Sequence, residues 1–334
     1  MSISHCPSCL KPGYTEFCNL CRKKLFGGEK VSPILPFSRP EYNHRRVEHG
    51  DRISISGVQS KYSLKLQGTV LELTETGGEY ILKPFVPGEL ENMSSMPANE
   101  HITMQMARRI FGLDIAENAL VFFSDYKTPA YLTKRFDVLA NGTKIQQEDF
   151  AQISQVSEET KGKNYKYDFS YEKIAALMKE NVSAYSVEVE KFFKLIVFNY
   201  LVHNGDAHLK NFSLYRHPAL NAYILTPAYD LLNTRLHLPN ETALALDLFE
   251  ADFETESYKA NGFYARDDFF EFGERIQISE SRLNRFLDEM ADRESDMCAM
   301  LDISYLEDPL KARYKEMIKE RIRALKYSYK NINR

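Results

Sequence analysis

Between residues 52 and 83 apolar and polar positions alternate in short runs, whereas beyond residue 138 the apolar positions recur with the period of a helix. The first pattern predicts strands at 52–56, 62–67, 70–73 and 80–83, with turns at Gly57 and at Gly77-Gly78. Ser94-Ser95 followed by Pro97 marks a helix start and Gly112 a stop, and Ile102, Met106, Ile110 and Phe111 give that helix one apolar face. Segments 120–123 and 131–135 read as a hairpin about the turn at 124–129. The later pattern predicts helices at 170–180, 187–203, 268–274, 280–296 and 307–327, interrupted by two short strands, 211–215 and 222–225, that flank His217-Pro218. The expected class is α+β: a β-rich lobe over 31–137, then a mostly helical lobe over 138–334.

The segment before residue 31 follows a different logic. Cys6-Pro-Ser-Cys9 and Cys18-Asn-Leu-Cys21 are two CxxC pairs, with Gly13 between them to reverse the chain. A CxxC turn presents two thiolates to one metal, and two such turns complete a tetrahedral Zn²⁺ site, predicting a small zinc-ribbon-like module over 1–30. Two disulfides or a redox pair are the alternatives, but no export signal and no βαβ pattern accompany the cysteines. Four thiolates leave no open position for substrate, so this metal would be structural. Arg22-Lys-Lys-Leu-Phe-Gly-Gly, then Pro33, Pro36 and Pro40, read as a linker that isolates the module. On that reading, chelation unfolds residues 1–30 and leaves the rest folded. Cys298, among Met297, Met300 and Leu301, reads as a small core residue.

Composition narrows the class. A chain of 334 residues, 43% hydrophobic and 27% charged, is long enough for two domains and a sizeable core. The most apolar run, 192–202, is broken by Lys194 and Asn199, so no transmembrane helix is expected. The start lacks a basic and apolar leader, which points to a cytoplasmic protein. A formal charge of −4 argues against a dominant nucleic-acid surface. Residues 311–334 are the exception, with nine basic and two acidic side chains and Tyr314, Tyr327 and Tyr329 among them. Such a stretch is either a solvated helix face or a nucleic-acid contact.

The densest polar cluster is His203-Asn-Gly-Asp206-Ala-His208-Leu-Lys210-Asn211, at the end of an apolar helix and just before the small hairpin, with Tyr229-Asp230 at the hairpin's far end. Phosphoryl transfer from ATP requires an Asp to accept the proton of the attacking hydroxyl, and an Asn and a second Asp to hold Mg²⁺. The hairpin brings the two metal ligands together. Read plainly, Asp206 and Asn211 cap a turn. Lys83 ends an apolar strand and Glu100 opens the next helix, as in the lysine–glutamate pair that holds ATP phosphates in kinases. Residues 54–61 form strand, turn and strand without the Walker A spacing. Gln146-Gln147-Glu148-Asp149 reads as a polar helix start.

Together these segments resemble the HipA family of bacterial Ser/Thr kinases, toxins of type II toxin–antitoxin systems. The matching stretches are RISISGVQSKYSL (52–64), ILKP (81–84), NEHITMQMA (99–107), KRFD (134–137), QQEDFAQ (146–152), HNGDAHLKNFSL (203–214) and TPAYDLL (226–232). The resemblance implies a two-lobed kinase-like fold, with Asp206 as catalytic base and Asn211 and Asp230 ligating Mg²⁺. It implies Lys83 on ATP phosphates, and Ser56, Gly57 and Lys61 in the loop covering them. The backbone of Lys134 to Phe136 would meet the adenine edge, with Gln147, His208 and Tyr229 lining the pocket. Ser54 and Ser56 would be autophosphorylation sites, where a phosphate's roughly −1.5 to −2 charge repels ATP and ejects the loop.

The chain departs from the family at three points: only about fifty residues precede the loop (a subdomain of about a hundred is usual), the cysteine module is not general, and Lys134 replaces a frequent acidic residue. The short start resembles minimal HipA-like toxins, in which a separate small protein supplies the N-terminal subdomain and acts as antitoxin. A helix-turn-helix antitoxin would link such a complex to DNA indirectly, and an aminoacyl-tRNA synthetase is the substrate the family suggests. Two other readings compete: a small-molecule kinase of the aminoglycoside or choline phosphotransferase type, and a non-catalytic kinase-fold scaffold acting with a DNA-binding antitoxin.

Overall fold

The computed structural model describes residues 3–48, 61–85, 88–125, 129–139 and 141–332. The chain forms two compact units, one of Met1–Gln105, Ala116–Lys144 and Met300–Glu307, the other of Met106–Ile115, Ile145–Ala299 and Asp308–Arg334.

The first unit is built on an antiparallel sheet of β1 (Tyr62–Gln67), β2 (Val70–Leu73), β3 (Tyr80–Pro84), β4 (Asn118–Phe122) and β5 (Pro129–Lys134), in the order β2-β1-β3-β5-β4. The expected alternation sets its register. Tyr62, Leu82, Leu132 and Ala119 lie opposite one another across four strands, and all are buried. Lys83, one residue on from Leu82, points to the other face, where α3 (Met96–Arg109) brings Glu100 to it.

The cysteine segment belongs to this same unit, and the boundary expected at residue 30 is not a break in packing. Residues 19–26 form α1 (Asn19–Phe26), ended by Gly27 in the left-handed region at φ 66°. Lys23 and Lys24 are its exposed face, while Leu25 and Phe26 join Phe17 in one apolar cluster with Leu64, Tyr80 and Leu82 of the sheet. The Tyr80 hydroxyl donates to the Leu25 carbonyl at 2.7 Å. The proline segment packs too: the Leu35 and Phe122 amides donate to the Phe122 and Pro33 carbonyls, both at 2.8 Å, and α2 (Arg39–Glu48) follows. The basic run and the prolines suggested a linker because their charge and missing amides hid the buried Leu25, Phe26, Val31, Leu35 and Phe37 between them.

The second unit carries a three-stranded antiparallel sheet, β6 (Gln147–Asp149), β7 (Ser213–His217) and β8 (Ala222–Leu225). Its helices are α4 (Phe150–Ile153), α5 (Glu158–Lys161), α6 (Tyr171–Asn181), α7 (Tyr185–Leu201), α8 (Glu256–Asn261), α9 (Arg266–Arg275), α10 (Glu280–Ala291), α12 (Asp308–Lys326) and α13 (Tyr329–Ile332), while α11 (Glu294–Asp302) runs on into the first unit. From Phe192 onward α7 is mostly apolar because it is buried: Phe192, Phe193, Ile196, Val197, Phe198 and Tyr200 are inaccessible, whereas Ser186, Val187 and Lys191 in its first half are exposed. The predicted helix 280–296 is two, since the Asp292 amide closes α10 on the Asp288 carbonyl. In α12 the basic and aromatic run is largely core and paired surface. Tyr314 is fully buried, and Lys311 and Lys319 pair with Asp308 and Glu316. Cys298 is half-buried rather than sealed in the core. Among the described residues, no helix is long and apolar enough to cross a membrane.

Candidate active site

In the second unit the loop after α7 is organised around its own polar groups. His203 takes the left-handed region at φ 54°, turning the chain out of the helix. Thr234 Oγ1 donates to the His203 carbonyl at 3.0 Å and accepts from the Gly205 amide at 2.9 Å. A Cβ on Gly205 would stand 2.8 Å from the Thr242 carbonyl oxygen, so no side chain fits beside Asp206. The Asp206 carboxylate itself is 46% exposed, open to an incoming hydroxyl.

His208 is buried, with Nε2 3.7 Å from Asp206 Oδ1 and 2.9 Å from Lys166 Nζ. Burial pushes its pKa down to about 4, and burial together with Arg321 pushes that of His203 down to about 3, so both are neutral at ordinary pH. The unfolded chain binds these protons near pH 6.5 and the folded chain does not, so stability falls as pH drops below that value. We expect each histidine to contribute a loss of about 1.4 kcal/mol per pH unit from roughly pH 6.5 down to its folded value. Urea unfolding of wild type and His203→Gln between pH 4.5 and 7.5 checks this; identical pH slopes for the two would refute it.

Asn211 closes a 3-10 turn, Leu209–Asn211, its amide donating to the His208 carbonyl at 2.9 Å. Its side-chain Oδ1 is buried and, among the described residues, has no hydrogen-bond partner. A buried carbonyl oxygen of that kind suits an oxygen-seeking cation. The hairpin then returns the chain, Leu214 facing Leu225, and the Thr226 amide donates to the Ser213 carbonyl at 3.0 Å. The Tyr229 hydroxyl donates to the Lys210 carbonyl at 3.0 Å, so Ser213 Oγ, at 2.6 Å, donates to Tyr229. Tyr229 thereby ties its neighbour Asp230 to both sides of Asn211. Asp230 is in the left-handed region at φ 55°, and its charge raises the His208 pKa, against the larger effect of burial. The second unit therefore gathers Asp206, His208, Asn211, Tyr229 and Asp230. Gln147 lies on β6 opposite Tyr215, and the polar stretch ending at Asp149 is a strand, followed by a cap in which Asp149 accepts from the Gln152 amide.

In the first unit Lys83 Nζ and Glu100 Oε1 are 2.5 Å apart, with the side chains 3% and 1% exposed. Breaking such a pair leaves a buried charge uncompensated, at a cost of about 3–5 kcal/mol. We expect Lys83→Met to lower stability by that order, and the double variant Lys83→Met/Glu100→Leu to recover most of it. Thermal denaturation of both decides; a double variant as unstable as the single one would exclude the uncompensated charge as the cause. Lys61 is half-buried just before β1. The amides of Lys134 and Arg135 are engaged by the Glu117 and Glu79 carbonyls, so neither is free to donate to a base edge. Phe136 is half-buried. Ser54, Ser56 and Gly57 lie outside the described residues.

The four sulfurs of Cys6, Cys9, Cys18 and Cys21 lie within 4.8 Å of one another, Cys9 and Cys18 at 3.7 Å. Four sulfurs bound to one Zn²⁺ at about 2.3 Å stand about 3.8 Å apart, so the cluster fits that ion. Hydrogen bonds from the Cys21 and Cys9 thiols hold the Cys6 thiol far below its ordinary pKa. The first CxxC turn is fastened to the sheet lobe. Ser8 Oγ donates to the Asn118 carbonyl at 2.8 Å, His101 Nε2 donates to the Ser8 carbonyl at 2.7 Å, and His101 is next in sequence to Glu100.

Two residues that touch Asp206 and His208 were not among the candidates: Tyr167, whose hydroxyl donates to Asp206 Oδ1 at 2.5 Å, and Lys166. Their only signal was the tyrosine- and lysine-rich run Lys163-Asn-Tyr165-Lys166-Tyr167, which carries no motif spacing.

The HipA-like C-terminal domain model matches residues 53–321. A Haemophilus influenzae protein named "Putative kinase" is 30% identical over 270 residues, covering 77% of each chain. The Serine/threonine-protein kinase toxin HipA of Shewanella oneidensis is 25% identical over 230 residues, covering 64% of this chain and 49% of that protein. Among solved structures, the chain resembles one of the Shewanella oneidensis MR-1 HipA, HipB and operator DNA complex (TM-score 0.64, 21% identity, covering 86% of this chain and 72% of that one). It also resembles the Helicobacter pylori proinflammatory kinase CtkA (TM-score 0.51, 16% identity, covering 82% and 92%). With the domain model spanning most of its length and a relative 30% identical over 77% of each chain, the chain belongs to the HipA-like family.

Proposed function

We propose that this chain is an ATP-dependent Ser/Thr protein kinase of the HipA toxin type, transferring the γ-phosphate of ATP to a protein hydroxyl. The observation that carries the reading is the buried Oδ1 of Asn211, without a hydrogen-bond partner among the described residues, on the same loop as Asp206 and flanked by the Tyr229 bonds to Lys210 and Ser213 that tie in Asp230. Asp206 accepts the hydroxyl proton, and Lys83, held by Glu100, meets the ATP phosphates. Asn211 and Asp230 would hold Mg²⁺, which when bound neutralises charge on the phosphates. The four cysteines would hold a structural Zn²⁺.

The finer parts rest on family likeness. They are autophosphorylation at Ser54 or Ser56, an aminoacyl-tRNA synthetase as substrate, an antitoxin partner that bridges to DNA, and action in the cytoplasm. The antitoxin reading is supported by the related HipA, which was solved with HipB and operator DNA.

The test is the intact mass of the purified chain before and after Mg-ATP, beside Asp206→Ala. A gain of whole phosphate units in the wild type only, mapped to Ser54 or Ser56, is the expected result. A chain that arrives unmodified and gains nothing, while ATP is spent on aminoglycoside or choline acceptors, would shift the assignment to a small-molecule kinase.

A further inference from the structure

The catalytic loop is gripped by one short stretch of chain. Gly162 to Ser170 is a series of turns, the Tyr165, Tyr167 and Phe169 amides donating to the Gly162, Asn164 and Tyr167 carbonyls, and Ser170 then caps α6 by accepting from the Lys173 amide. Four bonds run from this stretch and the first residue of α6 to four successive residues of the loop. Tyr167 Oη donates to Asp206 Oδ1 at 2.5 Å, and Tyr171 Oη to the Ala207 carbonyl at 2.9 Å. Lys166 Nζ donates to His208 Nε2 at 2.9 Å, and the Leu209 amide donates to the Lys166 carbonyl at 3.2 Å. The Tyr167 ring also stands edge-on to that of His208, with centroids 5.1 Å apart.

We propose that Tyr167 and Lys166 are positioning residues for phosphoryl transfer: Tyr167 holds one oxygen of Asp206 so that the other receives the proton of the incoming hydroxyl, and Lys166 fixes the ring of His208 beside it. The inference rests on the kinase reading. A carboxylate has two oxygens, and the 2.5 Å contact to Oδ1 is in the range of a charge-assisted O–H···O⁻ bond. Burial and the Asp206 carboxylate keep the Tyr167 hydroxyl protonated, so it donates and does not compete for the substrate's proton. Lys166, donating to Nε2, places the neutral histidine's own proton on Nδ1. In the transfer, the substrate oxygen bonds to phosphorus as its proton passes to the open oxygen of Asp206. The bond from phosphorus to the bridging oxygen breaks, and ADP leaves with that electron pair.

The test is the single-turnover rate of phosphate transfer from radiolabelled Mg-ATP to the full-length chain itself, as a function of pH, for wild type, Tyr167→Phe, Lys166→Met and Asp206→Asn, with ATP affinity measured separately by a fluorescent ATP analogue. Tyr167→Phe is expected to slow transfer about ten- to hundredfold at unchanged nucleotide affinity, the worth of one hydrogen bond to a charged group. Because the proton acceptor loses a hydrogen bond, the acid limb of the rate profile is also expected to move to higher pH. Lys166→Met should slow transfer in the same way, through the loss of its bond to His208 and of its contact with the Tyr167 ring, 4.8 Å from the centroid. An active wild type with a dead Asp206→Asn, but with Tyr167→Phe at full rate on an unmoved acid limb, overturns this inference alone. A wild type without transfer, or an Asp206→Asn as fast as wild type, overturns the kinase reading and this inference with it.

Discussion

Asp206→Ala and Asp230→Asn are each expected to reduce phosphate transfer by about 10²–10⁴-fold, the usual worth of a positioned proton acceptor and the floor for losing a metal ligand. Neither change should unfold the protein. The Asp206 side chain is nearly half exposed, and Asp230 is in the left-handed region, which Asn tolerates almost as well as Gly. Alanine at 230 would add a backbone penalty of about 1–2 kcal/mol and confound the measurement. Transfer assays on matched, folded samples, with circular dichroism as control, check this. Full activity in Asp230→Asn would remove Asp230 from the metal site and with it the main reason for reading the hairpin as catalytic.

The second large effect is expected from the cysteines. Removing metal with a strong chelator, or making Cys6→Ser/Cys21→Ser, should unfold the five-stranded sheet and not only residues 1–30. Structural Zn²⁺ contributes about 10–16 kcal/mol of apparent binding free energy in small domains, as much as a whole domain's stability. A Zn²⁺ held by the four cysteines would feed that contribution into a shared core, because Phe17, Leu25 and Phe26 pack with Leu64, Tyr80 and Leu82. It also reaches α3, because His101 holds the Ser8 carbonyl one residue from Glu100. Amide hydrogen exchange read on β1, β3 and β5 with and without chelator is the measurement, with metal content determined on the same samples. Unchanged protection of those strands after complete metal loss would restore the picture of an isolated module.

Much of this was legible in the chain. The alternation at Tyr62, Leu64 and Leu66 placed β1, and the buried run around Phe192 placed α7, because both elements bury a face whose period is written in the residues. The hairpin between Asn211 and Asp230 was legible too, since the turn that returns the chain is local. Helix α1 was missed because only two of its last residues are apolar and buried, and they pack on strands far away in sequence. Tyr167 was missed for the same reason: nothing local ties residue 167 to residue 206, and only the packed chain does. The shared core of the cysteine segment is likewise a long-range fact, invisible to a reading that treats charge and proline as boundaries.

The first unit is closed by a stretch made late. Tyr305 donates to the His5 carbonyl at 2.9 Å and packs its ring on Phe122, although three hundred residues of synthesis separate it from the segment it secures. A ribosome making this protein releases all five strands long before Met300–Glu307, so the contacts of Tyr305 with His5 and Phe122 close only when synthesis is nearly complete. A chain stopped before residue 300 would lack this late clasp on the first unit as well as the end of the second.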